Sequence, residues 1–76
     1  MKNRKILNIF EDILDINKGV ISNRSTPSDI SEWDSIATVN IIIALENEFK
    51  IKFKLKDLQE LKDVQDFINL VENYKL

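Results

Sequence analysis

The two residue types that most often carry chemistry in proteins are missing from this chain of 76 residues, which contains neither cysteine nor histidine. Without cysteine there is no disulfide, no thiolate nucleophile and no thiolate metal ligand. Without histidine the usual general base and the commonest metal ligand are also missing. A chain of this length would in addition struggle to enclose a catalytic pocket. We therefore expect a protein that is not an enzyme and holds no metal ion.

Glycine and proline are scarce, with one of each in the chain. Long helices with few sharp turns are therefore favoured over a turn-rich β architecture. Hydrophobic residues make up 43% of the chain and charged residues 32%, which is a globular composition. The length suits one core. We expect an all-α fold in a single domain that spans residues 1–76.

A long apolar run and a basic excess are absent as well. No stretch approaches the roughly 20 apolar residues that span a bilayer. Asn8, Glu11 and Asp12 interrupt the apolar segment near the N-terminus, which argues against a signal peptide. The net charge of −2 argues against a dedicated nucleic-acid binder. The expectation is a cytoplasmic monomer with no nucleic-acid partner and no stable membrane insertion.

Apolar side chains recur at helical spacing in three segments. The first predicts a helix from Lys2 or Asn3 to Asn17, with Gly19 as its left-handed C-cap. The second predicts a helix from Ser35 to Phe49, capped by Asp34. The third predicts a last helix capped by Asp63, with an apolar stripe formed by Val64, Phe67, Ile68, Val71 and Tyr74.

The second predicted helix is more apolar than a surface helix usually is. Its spacing places Ile36, Val39, Ile42 or Ile43, and Phe49 along one side, joined by Leu45 and Ala44. Such a helix either buries more than half of its circumference or leaves apolar side chains exposed to a partner.

Two connectors separate the predicted long helices. Residues 20–33 lose helical periodicity, but their apolar side chains predict a loop fixed across the core, through Val20, Ile21, Ile30 and Trp33. Residues 50–56 alternate with period two but have no second strand to pair with. They predict an extended connector that buries Ile51, Phe53 and Leu55, followed by a short helix over residues 57–61.

The second connector also contains a basic cluster, in which Lys50, Lys52, Lys54 and Lys56 are expected to point outward. The cluster could dock a partner or contact a membrane weakly. The favoured interpretation is a solvated segment whose charge is balanced by Asp57, Glu60 and Asp63.

Ser35 follows a predicted N-cap and opens an apolar helix. Free backbone N–H groups and the positive end of the helix dipole favour a phosphate ester at such a position. The chain has no base that would activate this hydroxyl, so a modification installed by another enzyme fits better than catalysis. Serine and aspartate are also common at helix starts, and the local pattern alone leaves that ordinary role open.

Residues 33–49 resemble the second helix of acyl carrier proteins, which have an Asp-Ser-Leu motif, a following Thr-Val and an Ala-Leu-Glu-x-Glu-Phe ending. This chain has Asp34-Ser35-Ile36, then Thr38-Val39, then Ala-Leu-Glu-Asn-Glu-Phe up to Phe49. Residues 61–68 resemble the start of that family's last helix. The resemblance implies a four-helix bundle of three main helices and one short helix, with a long loop between the first two.

The resemblance further implies that Ser35 accepts 4′-phosphopantetheine from coenzyme A through a magnesium-dependent phosphopantetheinyl transferase. The thiol of this arm would hold acyl or aminoacyl groups as thioesters and present them to acyl-activating, acyltransferase or synthase enzymes. Contacts with partners are expected at five residues of this segment: Asp34, Ile36, Asn40, Ile43 and Glu46. Short acyl chains could lie between the helices, beside the apolar side chains of the second helix and Phe53.

The chain departs from the family pattern in two respects. Trp33 stands where members often have glycine, and we expect it to cap the core. Many fatty-acid carriers line the second helix with carboxylates that meet basic patches. The resemblance implies that the corresponding outward positions here are Ala37, Asn40 and Asn47, with only Glu46 and Glu48 acidic. Electrostatic steering toward such enzymes should be weaker, which favours a specialised pathway. The alternative function is a helical interaction module that shares the fold and is never modified.

Overall fold

Four helices and their connectors form the structure, a computed structural model that describes residues 2–75, with side chains for residues 4–74. The helices are α1 Lys2–Leu14, α2 Ser35–Phe49, α3 Leu55–Leu58 and α4 Val64–Lys75. No strand occurs among residues 2–75. The predicted all-α bundle, with one short helix and a long first loop, is confirmed.

The core is built by the three long helices and the first loop. Phe10 lies at its centre, with its ring centroid 5.2 Å from that of Trp33 and 5.2 Å from that of Phe67, both in edge-to-face geometry. The rings of Trp33 and Phe67 are 5.9 Å apart. Such pairs contribute about 0.5–1.5 kcal/mol each beyond the burial of their area. Trp33 is 3% exposed, so the prediction that it caps the core is confirmed.

Helix α1 ends at Leu14, three residues before the predicted end at Asn17. Asp15 takes the left-handed conformation with φ 55°, and the N–H of Ile16 donates to the carbonyl of Glu11 at 3.2 Å. This is the Schellman pattern of a helix C-terminus. Gly19 has φ 91° but lies beyond the helix, so its predicted role as the C-cap is wrong. Its N–H donates instead to the buried carboxylate of Glu11, at 3.2 Å.

The first loop is fixed across the core, as predicted, and it is also hydrogen-bonded to the start of α4. The N–H of Val64 donates to the carbonyl of Ser25 at 3.1 Å, and the N–H of Gln65 donates to that of Asn23 at 2.8 Å. Ile21, Ile30 and Trp33 of the loop are buried. Val20 is the exception, because its side chain is 52% exposed rather than part of the core.

A capping box begins α4 and confirms Asp63 as its N-cap. The Asp63 carboxylate accepts the N–H of Asp66 at 2.9 Å. The Asp66 carboxylate accepts the N–H of Asp63 at 3.4 Å and that of Lys62 at 2.8 Å. The buried side chains of the helix match the predicted stripe at Val64, Phe67, Ile68 and Val71, with Tyr74 partly buried.

The connector after α2 differs from its prediction at Leu55. Ile51 and Phe53 are partly buried as expected, but Leu55 is 72% exposed and opens α3. The short helix therefore begins two residues before the predicted range of 57–61 and ends three residues before its end. Tyr74 explains this position, because its hydroxyl accepts the N–H of Lys54 at 2.9 Å and donates to the Asp57 carboxylate at 2.6 Å. The bond to Asp57 also raises the pKa of the Tyr74 phenol.

Two features are absent from the part of the chain that the structure describes. None of its helices has the length and apolar character required to cross a bilayer. None of its side chains gather in a group of three or more potential ligands that could hold a metal ion.

Replacing Asp15 by glycine should stabilise the fold. An L-residue in the left-handed region costs about 1–2 kcal/mol, and the greater entropy of glycine in the unfolded chain offsets part of that gain. Asp15→Ala is the matched control, because it removes the same charge and keeps Cβ. We expect the free energy of unfolding of Asp15→Gly to exceed that of Asp15→Ala by about 1 kcal/mol in urea denaturation followed by circular dichroism. Equal values would contradict the left-handed assignment.

Candidate functional site

The start of α2 is defined by Asp34, whose backbone is extended at φ −104° and ψ −172°. Its carboxylate accepts the N–H of Ala37 at 2.8 Å, and its carbonyl accepts the N–H of Thr38 at 2.9 Å. The predicted N-cap is confirmed. These two bonds leave the N–H groups of Ser35 and Ile36 at the open, positive end of the helix.

Trp33 ties this helix start to the core. Its indole N–H donates to the Thr38 hydroxyl at 2.9 Å, and that hydroxyl donates to the carbonyl of Asp34 at 3.0 Å. The backbone N–H of Trp33 donates to the carbonyl of Ile30 at 3.0 Å. The two residues before Ser35 are therefore held from both sides, and the position of Ser35 relative to the core is fixed.

The surroundings of Ser35 fit a phosphate ester. Its side chain is exposed, so an attached group can extend into solvent. The phosphate would lie beside free backbone N–H groups and the positive end of the helix dipole. The neighbouring Asp34 carboxylate is engaged with the N–H of Ala37. The residues present therefore suit a phosphopantetheine arm, which would supply a thiol that this cysteine-free chain lacks.

Helix α2 buries a narrow stripe and exposes large apolar side chains on the opposite side. The buried residues follow every four positions: Ala37, Ile41, Leu45 and Phe49. Ile36, Val39 and Ile43 are 74%, 54% and 49% exposed. Ile36, Val39 and Ile43 share one side, as their spacing predicts, but that side is exposed and Phe49 lies on the buried one. The predicted outward position of Ala37 is wrong, because its side chain is 8% exposed. A helix that is apolar on all sides gives no periodic signal for its buried face.

Three of the five predicted partner contacts lie together. Ile36, Asn40 and Ile43 are exposed at positions that helical spacing places on one face. Val39 belongs to this face and was missed, although its spacing of three from Ile36 and four from Ile43 indicates it. We call Ile36, Val39, Asn40 and Ile43 the α2 face.

The other two predicted contacts have structural partners within the chain. Asp34 is exposed and caps α2. Glu46 is partly buried, and its carboxylate accepts the N–H of Phe53 at 3.0 Å. Glu46 therefore fixes the connector after α2, a role that the sequence did not indicate.

A polar cleft lies apart from the α2 face, between the α3 segment and α4. It has a volume of about 200 Å³ and is lined by carboxylates and amides together with Leu61 and Leu70. The polar side chains are Asp57, Glu60, Asp66, Asn69 and Asn73. An acyl chain would lose little contact with water there, so this cleft is unsuited to hold one.

Comparison with known proteins places this chain in a family. Residues 4–71 match the family described as the phosphopantetheine attachment site. The acyl carrier protein of Buchnera aphidicola subsp. Acyrthosiphon pisum (strain 5A) is 35% identical over 78 residues, covering 100% of this chain and 98% of the relative. That of Buchnera aphidicola subsp. Schizaphis graminum (strain Sg) is 35% identical over 70 residues, covering 92% and 89%. The chain belongs to the acyl carrier protein family.

A solved structure supports the same assignment. The solution NMR structure of the holo acyl carrier protein from Geobacter metallireducens superimposes with a TM-score of 0.86 at 36% identity. The match covers 96% of this chain and 84% of that chain. As an acyl carrier protein, the chain is a carrier rather than a catalyst, and its acyl groups are held on covalently attached phosphopantetheine. The family interacts with phosphopantetheinyl transferases, acyltransferases and synthases in general.

Removal of the Asp34 carboxylate should destabilise the fold. Asp34→Ala leaves the N–H of Ala37 without its acceptor, and we expect the free energy of unfolding to fall by about 1 kcal/mol. Asp34→Asn keeps an acceptor oxygen and should lose much less. Glu32→Ala removes an exposed carboxylate from the preceding loop and serves as the control. A loss for Glu32→Ala as large as that for Asp34→Ala would show that the cap is not responsible.

Proposed function

We propose that Ser35 carries the 4′-phosphopantetheine arm. The observation that supports this most is the exposed hydroxyl at the capped start of α2, within the residues 4–71 that match the attachment family. Other serines of the chain have different surroundings. Ser25 is buried and its hydroxyl accepts the N–H of Ser22, while Ser31 donates to Glu32 in the loop. Among the chain's serines, Ser35 alone opens a helix.

The attachment is a phosphoryl transfer. The Ser35 hydroxyl oxygen forms a bond to the phosphorus that bears the pantetheine chain of coenzyme A. The bond from that phosphorus to the bridging oxygen breaks, and adenosine 3′,5′-bisphosphate leaves. A base on the transferase takes the serine proton, because this chain offers no histidine or thiolate for that role. Magnesium on the transferase would neutralise the charge of the coenzyme A diphosphate and of the 5′-phosphate that leaves.

The α2 face next to Ser35 is proposed as the surface that partner enzymes bind. It presents three large apolar side chains and one amide, so its contacts depend on short-range packing rather than on long-range charge. Asp34 and Glu46 would act mainly by fixing the two ends of the helix. This chemistry favours a dedicated set of partners over a general fatty-acid carrier. The proposed partners are a phosphopantetheinyl transferase and acyl-activating, acyltransferase or synthase enzymes, in the cytoplasm where coenzyme A is available.

Modification at Ser35 can be tested by intact mass. The protein is incubated with coenzyme A, magnesium and a broad-specificity phosphopantetheinyl transferase. We expect a gain of one phosphopantetheine in the wild type and in the control Ser31→Ala, and no gain in Ser35→Ala. A gain of mass that persists in Ser35→Ala would show that the arm is attached to another residue. No gain in any variant would favour an interaction module that is never modified.

Recognition through the α2 face predicts a kinetic effect of Ile36→Ala. This side chain is 74% exposed in the free carrier, and its burial against an enzyme should contribute roughly 1.5 kcal/mol. We expect kcat/KM of the transferase to fall about tenfold, with the free energy of unfolding unchanged within about 0.5 kcal/mol. Val20→Ala, which shortens an exposed side chain in the first loop, should leave kcat/KM unchanged. Equal rates for both variants would contradict docking on this face.

A further inference from the structure

The basic cluster after α2 is displayed on the outside of a fixed connector. Lys52 and Lys54 are exposed and alternate with Ile51 and Phe53, which are partly buried. Lys50 precedes them in the left-handed turn that ends α2. Lys56 follows in α3, beside Leu55, which is 72% exposed. We call Lys50, Lys52, Lys54, Leu55 and Lys56 the basic strip.

The charge of the basic strip is not neutralised by ion pairs within the chain. Among the side chains that the structure describes, the ion pair joins Lys5 to Glu48, at 3.2 Å, and none of the four lysines of the strip is in one. The carboxylates that were predicted to balance the charge of these lysines do not form ion pairs with them among the described side chains. Asp57 accepts the Tyr74 hydroxyl, and Asp63 caps α4. Four ammonium groups are thus available to an external anionic surface.

Hydrogen bonds on the inner side hold the backbone of the strip. The N–H of Phe53 donates to the Glu46 carboxylate at 3.0 Å, and the N–H of Lys54 donates to the Tyr74 hydroxyl at 2.9 Å. The rings of Phe53 and Tyr74 pack edge to face with centroids 5.2 Å apart. Binding to a flexible tail costs conformational entropy, because the tail must become ordered. This cost is smaller for the strip, since its backbone is already fixed.

The strip begins where the helix that bears the α2 face ends. Lys50 directly follows Phe49, the last residue of α2. Asn47 lies four residues after Ile43, on the same side of the helix, and is exposed. An enzyme that covers Ser35 and the α2 face can therefore extend onto the lysines, and the surface that meets them must be acidic to complement their charge.

We propose that the basic strip is a second docking surface, which binds an acidic surface patch of an enzyme that acts on the loaded carrier. The inference rests on the proposed carrier function and adds the charge of the partner. The fixed backbone and the continuity with the α2 face favour a protein surface over a membrane. Lipid binding needs no fixed spacing of lysines, and four lysines with one exposed leucine make a weak anchor for a chain whose net charge is −2.

The probe for this surface is a synthetic peptide, Glu-Glu-Glu-Leu-Leu-Glu-Glu-Glu, with the same peptide carrying Gln in place of Glu as its control. Titration into isotope-labelled holo carrier, followed by NMR, should shift the backbone signals of residues 50–56. Added salt should weaken binding, because exposed charges are screened. The Gln peptide should leave the signals unchanged.

Two variants of equal net charge locate the site. One replaces Lys50, Lys52, Lys54 and Lys56 by Gln, and the other replaces Lys5, Lys18, Arg24 and Lys62 by Gln. The first should weaken binding of the acidic peptide at least tenfold, and the second less than threefold, since pairs of exposed charges each contribute modestly. Circular dichroism of both variants checks that they are folded.

Several outcomes would overturn the proposal. These are an equal loss in the two variants, binding that salt does not affect, or no binding of the acidic peptide. Sedimentation of the carrier with phosphatidylcholine–phosphatidylglycerol vesicles, lost in the first variant, together with no peptide binding would assign the strip to membranes instead. The intact mass of the labelled sample reports on the arm independently. A phosphopantetheine-modified protein that does not bind the acidic peptide would contradict the docking surface alone. A protein that remains unmodified would contradict the carrier function.

Discussion

Trp33 packs against Phe10 of α1 and Phe67 of α4 and donates its indole N–H to Thr38 of α2, so one side chain contacts all three long helices. The loop that leads to Ser35 ends at this tryptophan, so the packing of Trp33 also fixes the end of the loop. Where other members of the family often have glycine, this chain has a large buried ring. For a domain of this size, whose total stability is on the order of 4–11 kcal/mol, such an anchor is a substantial share.

The beginnings of α2 and α4 could be predicted from the sequence, because capping is local. Asp34 and Asp63 each bond to an N–H three residues ahead, and no distant contact is needed to recognise them. The ends of α1 and α2 depend instead on the residues just beyond each helix. In both, a left-handed residue that is not glycine is followed by a partly buried isoleucine, Ile16 or Ile51. Packing of that isoleucine sets the end of the helix, so the search for a glycine pointed to the wrong residue.

The local structure at Ser35 was predictable from the sequence, and the packing of the helix that follows it was less so. The exposure of Ser35 follows from the cap, but the orientation of α2 follows from tertiary packing, since the helix is apolar on every side. Leu55 was placed in the core because it continues an alternating pattern. Its actual exposure depends on the hydroxyl of Tyr74, which fixes Lys54 across 20 residues of sequence. The sequence contains both residues, but only the fold shows that they meet.

The bonds from the start of α4 to the carbonyls of Ser25 and Asn23 also bear on the order in which the protein acquires its shape. Each bond closes a segment of about forty residues, and closing such a segment costs conformational entropy of the chain. Contacts between the two ends offset this cost only when both ends are ordered. The first loop therefore lacks its anchors until α4 has been synthesised. On the ribosome, we expect the start of α2 to reach its final position only after the last helix emerges. The attachment of phosphopantetheine proposed at Ser35 would then follow completion of the domain rather than accompany its synthesis.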